Sequence, residues 1–313
     1  MIEKFKDSKI QRYLIGNLLI CNLLIATRYA GDFEEIGASA RAFGLGSANV
    51  ACVSDASTIY YNPAASALLE NNQIILLHSE NYAGILKNDF LAYVRPQGPQ
   101  TYGFGVLTNR VPNIKITKLP YPDLPPSDTN QPIVDKIVQA SDWILYFNYA
   151  RTLNSTFYLG GNFKFIYRSL GIGSGFGFGF DAGGVMLISP DFKVGLKINN
   201  ITTSPLFWNT KSRENILPKL VFGMVKSFIV KKSNILLTTD FENSFENFSM
   251  NTNLGVEYLY NNTFALRFGL YHWNPTFGIG LSFKRFFVDY AYVSRFYQED
   301  LGASQKFSGG IRF

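Results

Sequence analysis

Residues 277–283 (FGIGLSF), 286–293 (FFVDYAYV) and 307–313 (FSGGIRF) decide the fold. Each alternates strictly. Phe277, Ile279, Leu281 and Phe283 share one face, and Gly278, Gly280 and Ser282 share the other. Phe286, Val288, Tyr290 and Tyr292 likewise stand opposite Phe287, Asp289, Ala291 and Val293. Period-two spacing is that of a β-strand. A soluble sheet buries its apolar face in a core and rarely stops on an unprotected aromatic. A bacterial outer-membrane barrel needs a lipid-facing stripe of this kind. Phe307, Ile311 and Phe313 then read as the assembly signal of a closing strand, although Gly309 stands where a larger apolar residue is usual.

The same unit, about ten alternating residues and a turn signal, recurs back to Gln73. It gives an all-β expectation: a transmembrane antiparallel barrel of about 14 strands, with an N-terminal hatch inside. Tight turns are expected at Pro96–Pro99, Leu153-Asn154, Ser189-Pro190, Lys231-Lys232 and Asn261-Asn262, and long loops at Arg110–Ser141 and Ile201–Ile216. Barrels of this kind place short turns on the periplasmic side. Pro132 before Ile133–Val138 suggests a short helix in the first long loop, because proline suits the first helical position.

Charge placement favours the membrane reading over a soluble sandwich. Lys164, Arg168, Asp181, Lys193, Lys197, Asp240, Glu257, Arg267, Lys284 and Asp289 fall on the polar strand faces, which read as lumen-facing. Phe157, Leu159, Phe163, Phe165, Leu266 and Phe268 lie on the opposite ones. Nine glycines, from Gly103 and Gly105 to Gly278 and Gly280, also fall on the polar faces. Small residues there leave room for something packed inside, and Gly177 is expected to touch it as well.

The N-terminus divides the chain further. Lys4, Lys6, Lys9 and Arg12 precede an apolar run from Leu14 to Ala26, the pattern of a signal peptide over residues 1–30; an uncleaved anchor is the alternative. Residues 31–72 are expected to form the hatch and 73–313 the barrel. Without the leader the chain has 24 basic and 21 acidic residues, a net of +3 against +6 overall, too little to argue for nucleic acid. Cys52 is the one cysteine outside the leader, so no internal disulfide follows.

Within the hatch segment, residues 37–46 (GASARAFGLG) are rich in small side chains, Asp55 looks like a helix cap, and Asn62-Pro63-Ala64 opens a turn. Residues 37–69 resemble the N-terminal signature of the PorV/PorQ family, whose members are similar to FadL-type channels. The tail from Gly278 resembles that family's last hairpin and strand. The resemblance implies a fourteen-stranded barrel with the Asn62-Pro63-Ala64 motif in its hatch. It also implies outer-membrane placement, contact with membrane lipids, and a role in protein secretion or cargo presentation beside type IX secretion machinery or its cargo. Ala65 departs from the glycine usual at that place.

No enzyme is expected, and no cofactor. The glycine-rich run 171–180 lacks the Lys-Ser/Thr pair and helix of a phosphate loop. Its Phe/Gly alternation reads as a strand. His78 and His272 lack a nucleophile setting, and no His or Cys cluster suits a metal. The competing function is a FadL-like channel for hydrophobic small molecules. Leu107, Ile144 and Ile166 can contribute to an apolar groove, although the charged lumen argues against a long one.

Overall fold

The computed structural model of the protein describes residues 30–246, 249–294 and 302–313; the signal peptide expected over residues 1–30 lies outside them except for Ala30. Strands β1 (Gln73–Asn81), β2 (Leu86–Gln97), β3 (Gln100–Lys118), β4 (Ile133–Thr152), β5 (Phe157–Ser169) and β6 (Ser174–Ser189) build the first part of the wall. β7 (Phe192–Asn199) is followed by a short hairpin, β8 (Ser204–Trp208) and β9 (Arg213–Ile216). The wall resumes with β10 (Lys219–Val230), β11 (Ser233–Ser244), β12 (Ser249–Tyr260) and β13 (Phe264–Tyr271). β14 (Asn274–Phe283), β15 (Phe286–Val293) and β16 (Ser304–Arg312) complete it.

Every pairing is antiparallel, and β1 closes on β16 with Gln73 opposite Arg312 and Ile75 opposite Gly310. β7 pairs directly with β10, while β8 hangs from the upper part of β6. Among the described residues fourteen strands therefore form the closed wall, and β8–β9 is a side branch. Closure matters because a wall with no free edge leaves no backbone group unpaired in lipid.

Outward faces are greasy. Phe176, Phe178 and Phe180 are exposed on β6 while Gly175, Gly177 and Gly179 point inward. Phe104, Phe147, Phe163 and Phe180 form a row around the outside, with ring centroids 5.4, 6.1 and 5.3 Å apart. Such segregation is what a barrel wall in lipid requires.

Several local expectations fail, among them the long loop expected at Ile201–Ile216, which holds the β8–β9 hairpin. Arg110–Ser141 is a β-ribbon rather than a loop with a helix: Ile114 pairs with Val138 and Lys118 with Ile133. The β-branched residues on both strands prefer each other to the helix that Pro132 alone suggests. Short connections also occur at the long-loop end, at Tyr82–Ile85, Leu170–Gly173 and His272-Trp273. Lys284 is no lumen residue; it sits exposed in the β14–β15 turn with φ +54. Gly177 faces the β8–β9 branch, where an added Cβ would meet Leu206, and not the hatch segment.

Residues 30–72 fill the lumen as a plug. At the long-loop end the Ala30 amide donates to Glu246 Oε1 at 2.7 Å. At the other end the Phe313 amide donates to the Asn72 carbonyl at 2.9 Å. Between them come a 3-10 turn at Asp32–Glu35, short helices at Ala40–Gly44 and Thr58–Tyr61, and a 3-10 turn at Pro63–Leu68. Ser57 precedes the second helix, and Asp55 ties Ser57 down rather than capping that helix itself. The inward glycines mark where plug backbone touches the wall. A Cβ at Gly160 would come within 2.5 Å of the Pro63 carbonyl oxygen, and one at Gly255 within 2.5 Å of that of Leu45. At Gly195 it would lie 2.7 Å from the oxygen of Val50.

Candidate functional site

The lumen has two unlike halves. On the inner face of β1 to β6, Ile75, Leu77, Phe90, Leu107, Ile144 and Ile166 are all buried in one apolar cluster. The plug answers with Phe33, Ile59, Tyr61 and Ala64, and the side branch adds Leu206. Tyr60 packs its ring edge-on to Tyr61 and Phe90 at 4.8 and 6.3 Å. These residues meet because each strand offers alternate positions to the lumen, so a patch with Phe90, Leu107, Ile144 and Ile166 in register is a continuous greasy strip. Leu107, Ile144 and Ile166 do come together, as a strip packed against the plug and the side branch, each of them 0% exposed, and not as an open groove.

The half formed by β7 and β10 to β15 is ionic. Arg41 of the plug donates to both Glu257 oxygens at 3.0 Å. Arg267 bridges the same carboxylate at 2.5 Å to Asp289 at 2.7 Å. Asp240 accepts the backbone amides of Asn49 and Val50 at 2.7 and 2.9 Å. Lys197 donates to the Tyr60 carbonyl oxygen and lies 5.0 Å from that residue's ring centroid. Buried charges persist where they are paired and hydrogen-bonded, as Arg41, Glu257, Arg267 and Asp289 are, whereas Asp240 and Lys197 meet backbone groups of the plug.

A second ionic knot stands at the boundary between the halves. Lys164, 1% exposed, contacts Glu34 at 2.9 Å, Asp181 at 3.0 Å and Asn200 at 2.8 Å. Arg168 pairs with Asp142 at 2.7 Å, nearer the rim, and covers the Phe33 ring. Lys193 faces the lumen near the short-turn end, with no ion-pair partner among the described residues. Sequence reasoning missed Glu34, Arg41, Lys219 and Glu242. Glu34 and Arg41 lie in the plug, and Lys219 and Glu242, joined at 2.8 Å, sit at strand termini where the period-two signal fades.

Asn62 is fully buried and ties three segments together. Its Oδ1 accepts the Ala64 amide at 3.1 Å, and its Nδ2 donates to Val50 O at 2.9 Å and Gly184 O at 3.2 Å. Pro63 opens the following 3-10 turn, where its missing amide costs nothing. Ala64 and Ala65 let that turn lie against Gly160, Asn148 and Gly183.

Cavities flank the plug. One of about 510 Å³ at the long-loop end is lined by Phe43, Tyr271 and Val293 together with Asp32, Glu35 and Lys306, among others. Another of about 280 Å³ at the short-turn end is lined by Arg41, Asp55, Asn262 and Arg267. A smaller void of about 50 Å³ lies between Tyr60, Tyr61, Lys197 and Lys219. His272 stacks on Tyr271 at 4.2 Å in the upper cavity. His78 lies on the outward face, bonded to Asp89 at 2.7 Å. Among the described residues no three His, Cys, Asp or Glu gather as a metal site. No described helix is long and apolar enough to cross a membrane. At the closing strand Phe307 packs on Tyr290 at 4.8 Å and Phe313 stacks on Tyr93 at 6.4 Å, while Ile311 pairs with Ile74 and Phe286.

Residues 34–182 match the model of the uncharacterised protein family UPF0164, a span covering most of the plug and β1 to β5 with half of β6. The toluene transporter TbuX of Ralstonia pickettii superposes with TM-score 0.61 at 13% identity, over 88% of this chain and 98% of that one. The P. putida toluene transporter TodX gives 0.60 at 12% identity, over 88% and 99%. A FadL homologue of Pseudomonas aeruginosa gives 0.53 at 13%, over 88% and 98%. No curated protein sequence matches the chain.

These findings place the chain in a FadL-like outer-membrane barrel fold. They overturn the PorV/PorQ assignment and, with it, the secretion and cargo-presentation role, since the matching family model is a different one and the similar structures are those of small-molecule transporters. The physical reason is plain. A small-residue segment and an Asn-Pro turn are what any plug needs in order to press its backbone against a barrel wall.

Proposed function

We propose that the protein is a plugged, non-catalytic outer-membrane channel for hydrophobic small molecules. The observation supporting this is the apolar strip on the inner face of β1 to β6, matched by Ile59, Tyr60 and Tyr61 of the plug. Transport of toluene by proteins of the same fold supports the class of ligand. A neutral apolar molecule enters the upper cavity past Phe43 and Tyr271. It then slides between plug and strip, replacing one apolar contact with another, so little burial is lost on the way. The ionic half need not break, and it holds the plug while the greasy half parts.

In this reading residues 31–72 are the hatch, Asn62-Pro63-Ala64 fixes its turn, and the inward charges serve as plug anchors rather than as an aqueous lining. The leader over residues 1–30 is removed on export. Phe307, Ile311 and Phe313 direct assembly, so deleting Phe313 is expected to lower the level of folded, heat-modifiable protein in the membrane.

The test is uptake of radiolabelled toluene and of a long-chain alkane by cells carrying the protein. Wild-type cells should exceed vector-only cells for at least one probe, and Ile166→Asp should abolish most of that gain while the barrel still folds. Equal uptake by wild-type and vector-only cells for both probes overturns the reading.

A further inference from the structure

The two rims of the barrel treat their cations differently. At the long-loop end Arg110, Lys118 and Lys219 are matched by carboxylates, while the unpaired cations described there, such as Lys115, Lys136 and Lys211, stand on the β3–β4 ribbon and the β8–β9 branch rather than against the lipid-facing belt. Arg110 meets Asp89 at 2.7 Å, Lys118 meets Asp135 at 2.6 Å, and Lys219 meets Glu35 at 2.9 Å and Glu242 at 2.8 Å. At the short-turn end Arg95, Arg151, Lys231, Lys232, Lys284 and Arg285 are all exposed, and none has a carboxylate partner among the described residues. The exposed acids described at that end are Glu70 and Asp191, and Asp191 is occupied by Lys226.

The unpaired cations sit against the lipid-facing belt. Lys231 and Lys232 follow directly on Ile229, 82% exposed, and Val230, 53% exposed. Lys284 and Arg285 lie between Phe283 and Phe286, and the Lys284 ammonium is 5.3 Å from the Phe283 ring centroid. The two dibasic turns are separated by four strands, about 20 Å along the rim, with the uncharged Asn261-Asn262 turn between them.

From this arrangement we propose that the short-turn rim is a binding surface for anionic phospholipid headgroups of the periplasmic leaflet. An apolar wall topped by unpaired cations is complementary to a lipid with apolar chains and a phosphate bearing net negative charge. A water-soluble anion would use the cations and gain nothing from Ile229, Val230, Phe283 or Phe286. Charge attraction at such a surface is worth roughly a fivefold gain in binding per cation, and salt screens it. The proposal does not depend on what the channel carries.

Native mass spectrometry of the folded full-length barrel, titrated with phosphatidylglycerol or phosphatidylcholine, tests it. Wild type should hold phosphatidylglycerol at least about tenfold more tightly, with the preference shrinking as ionic strength rises. The variant K231Q/K232Q/K284Q/R285Q should lose most of that preference. K115Q/K118Q/K136Q/K211Q removes the same net charge from the other end and should keep it. Equal binding of both lipids by wild type overturns the proposal, and so does equal loss in both variants. Displacement of the lipid by inorganic phosphate at matched ionic strength also overturns it, since a free-anion site would then explain the binding. Should the first variant fail to fold, the wild-type preference and its salt dependence still decide.

Discussion

The plug meets the inner face of β1 to β6 mainly through oil, with Lys164–Glu34 and the Asn148 and Asn162 amides as its polar ties, and meets β12 to β15 mainly through ion pairs. The two kinds of contact respond oppositely to a hydrophobic visitor. Phe90, Leu107, Ile144 and Ile166 have no directional hold on Ile59 or Tyr60, so they can part around an apolar molecule and remain satisfied. Arg41, Glu257, Arg267 and Asp289 cannot part without stranding buried charge. One half is therefore suited to opening and the other to holding. A closed barrel with a uniformly polar or uniformly greasy interior would have no reason to open on a particular side.

The largest expected effect comes from breaking the holding side. Glu257→Ala leaves Arg41 and Arg267 without their shared carboxylate and should destabilise the folded barrel by about 3–5 kcal/mol. It should also raise ion conductance in planar bilayers. Unchanged urea stability would mean that the ionic half does not hold the plug.

A somewhat smaller effect is expected from placing charge on the wrong face of the wall. Leu266→Arg and Phe178→Arg place a charge in lipid and should each cost roughly 2–4 kcal/mol, whether or not residues 31–69 are present. Gly160→Arg instead collides with the Pro63 carbonyl, and its defect should be relieved by removing the plug. If all three variants respond alike to that deletion, the face assignment is wrong.

A milder change loosens the turn beside the apolar half. Asn62→Ala with Pro63→Ala removes the three side-chain bonds of Asn62, worth about 1–3 kcal/mol in all. Single-channel recordings should show more frequent openings while the wall stays folded. A freely conducting wild type would contradict the plugged-channel reading altogether.

The smallest effect lies outside the lumen, in the β3–β4 ribbon. The hydrogen bond from Lys118 holds the Asp135 carboxyl below its ordinary value. A depressed carboxyl adds stability above its unfolded pKa and loses it as the pH falls through the folded one. Protease resistance of the ribbon tip should therefore drop below about pH 4, and Asp135→Asn should abolish that dependence without touching the barrel.

Much of this architecture is legible in the chain, because a barrel wall is a local pattern. Alternation in GFGFGF or FFVDYAYV depends on neighbours two residues apart, and the inward glycines announce that something must approach the wall. The bonds between plug and wall are different in kind. Arg41 and Glu257 are separated by 216 positions, and Lys164 and Glu34 by 130, so their pairing follows from register and has no local trace. Pro132 misleads because a helix start and a strand start both tolerate a proline just ahead of them. The Asn62-Pro63-Ala64 turn marks a plug truthfully and a family poorly, since the constraint it satisfies is geometric.

The contacts at Gly160, Gly195 and Gly255 also bear on the order of construction. A backbone seated that tightly against a finished ring would have to be inserted against side chains already in place. The plug is instead the first part of the described chain to be synthesised, and the seam between β1 and β16 joins the first wall strand to the last. A plug seated before that seam shuts would avoid such an insertion.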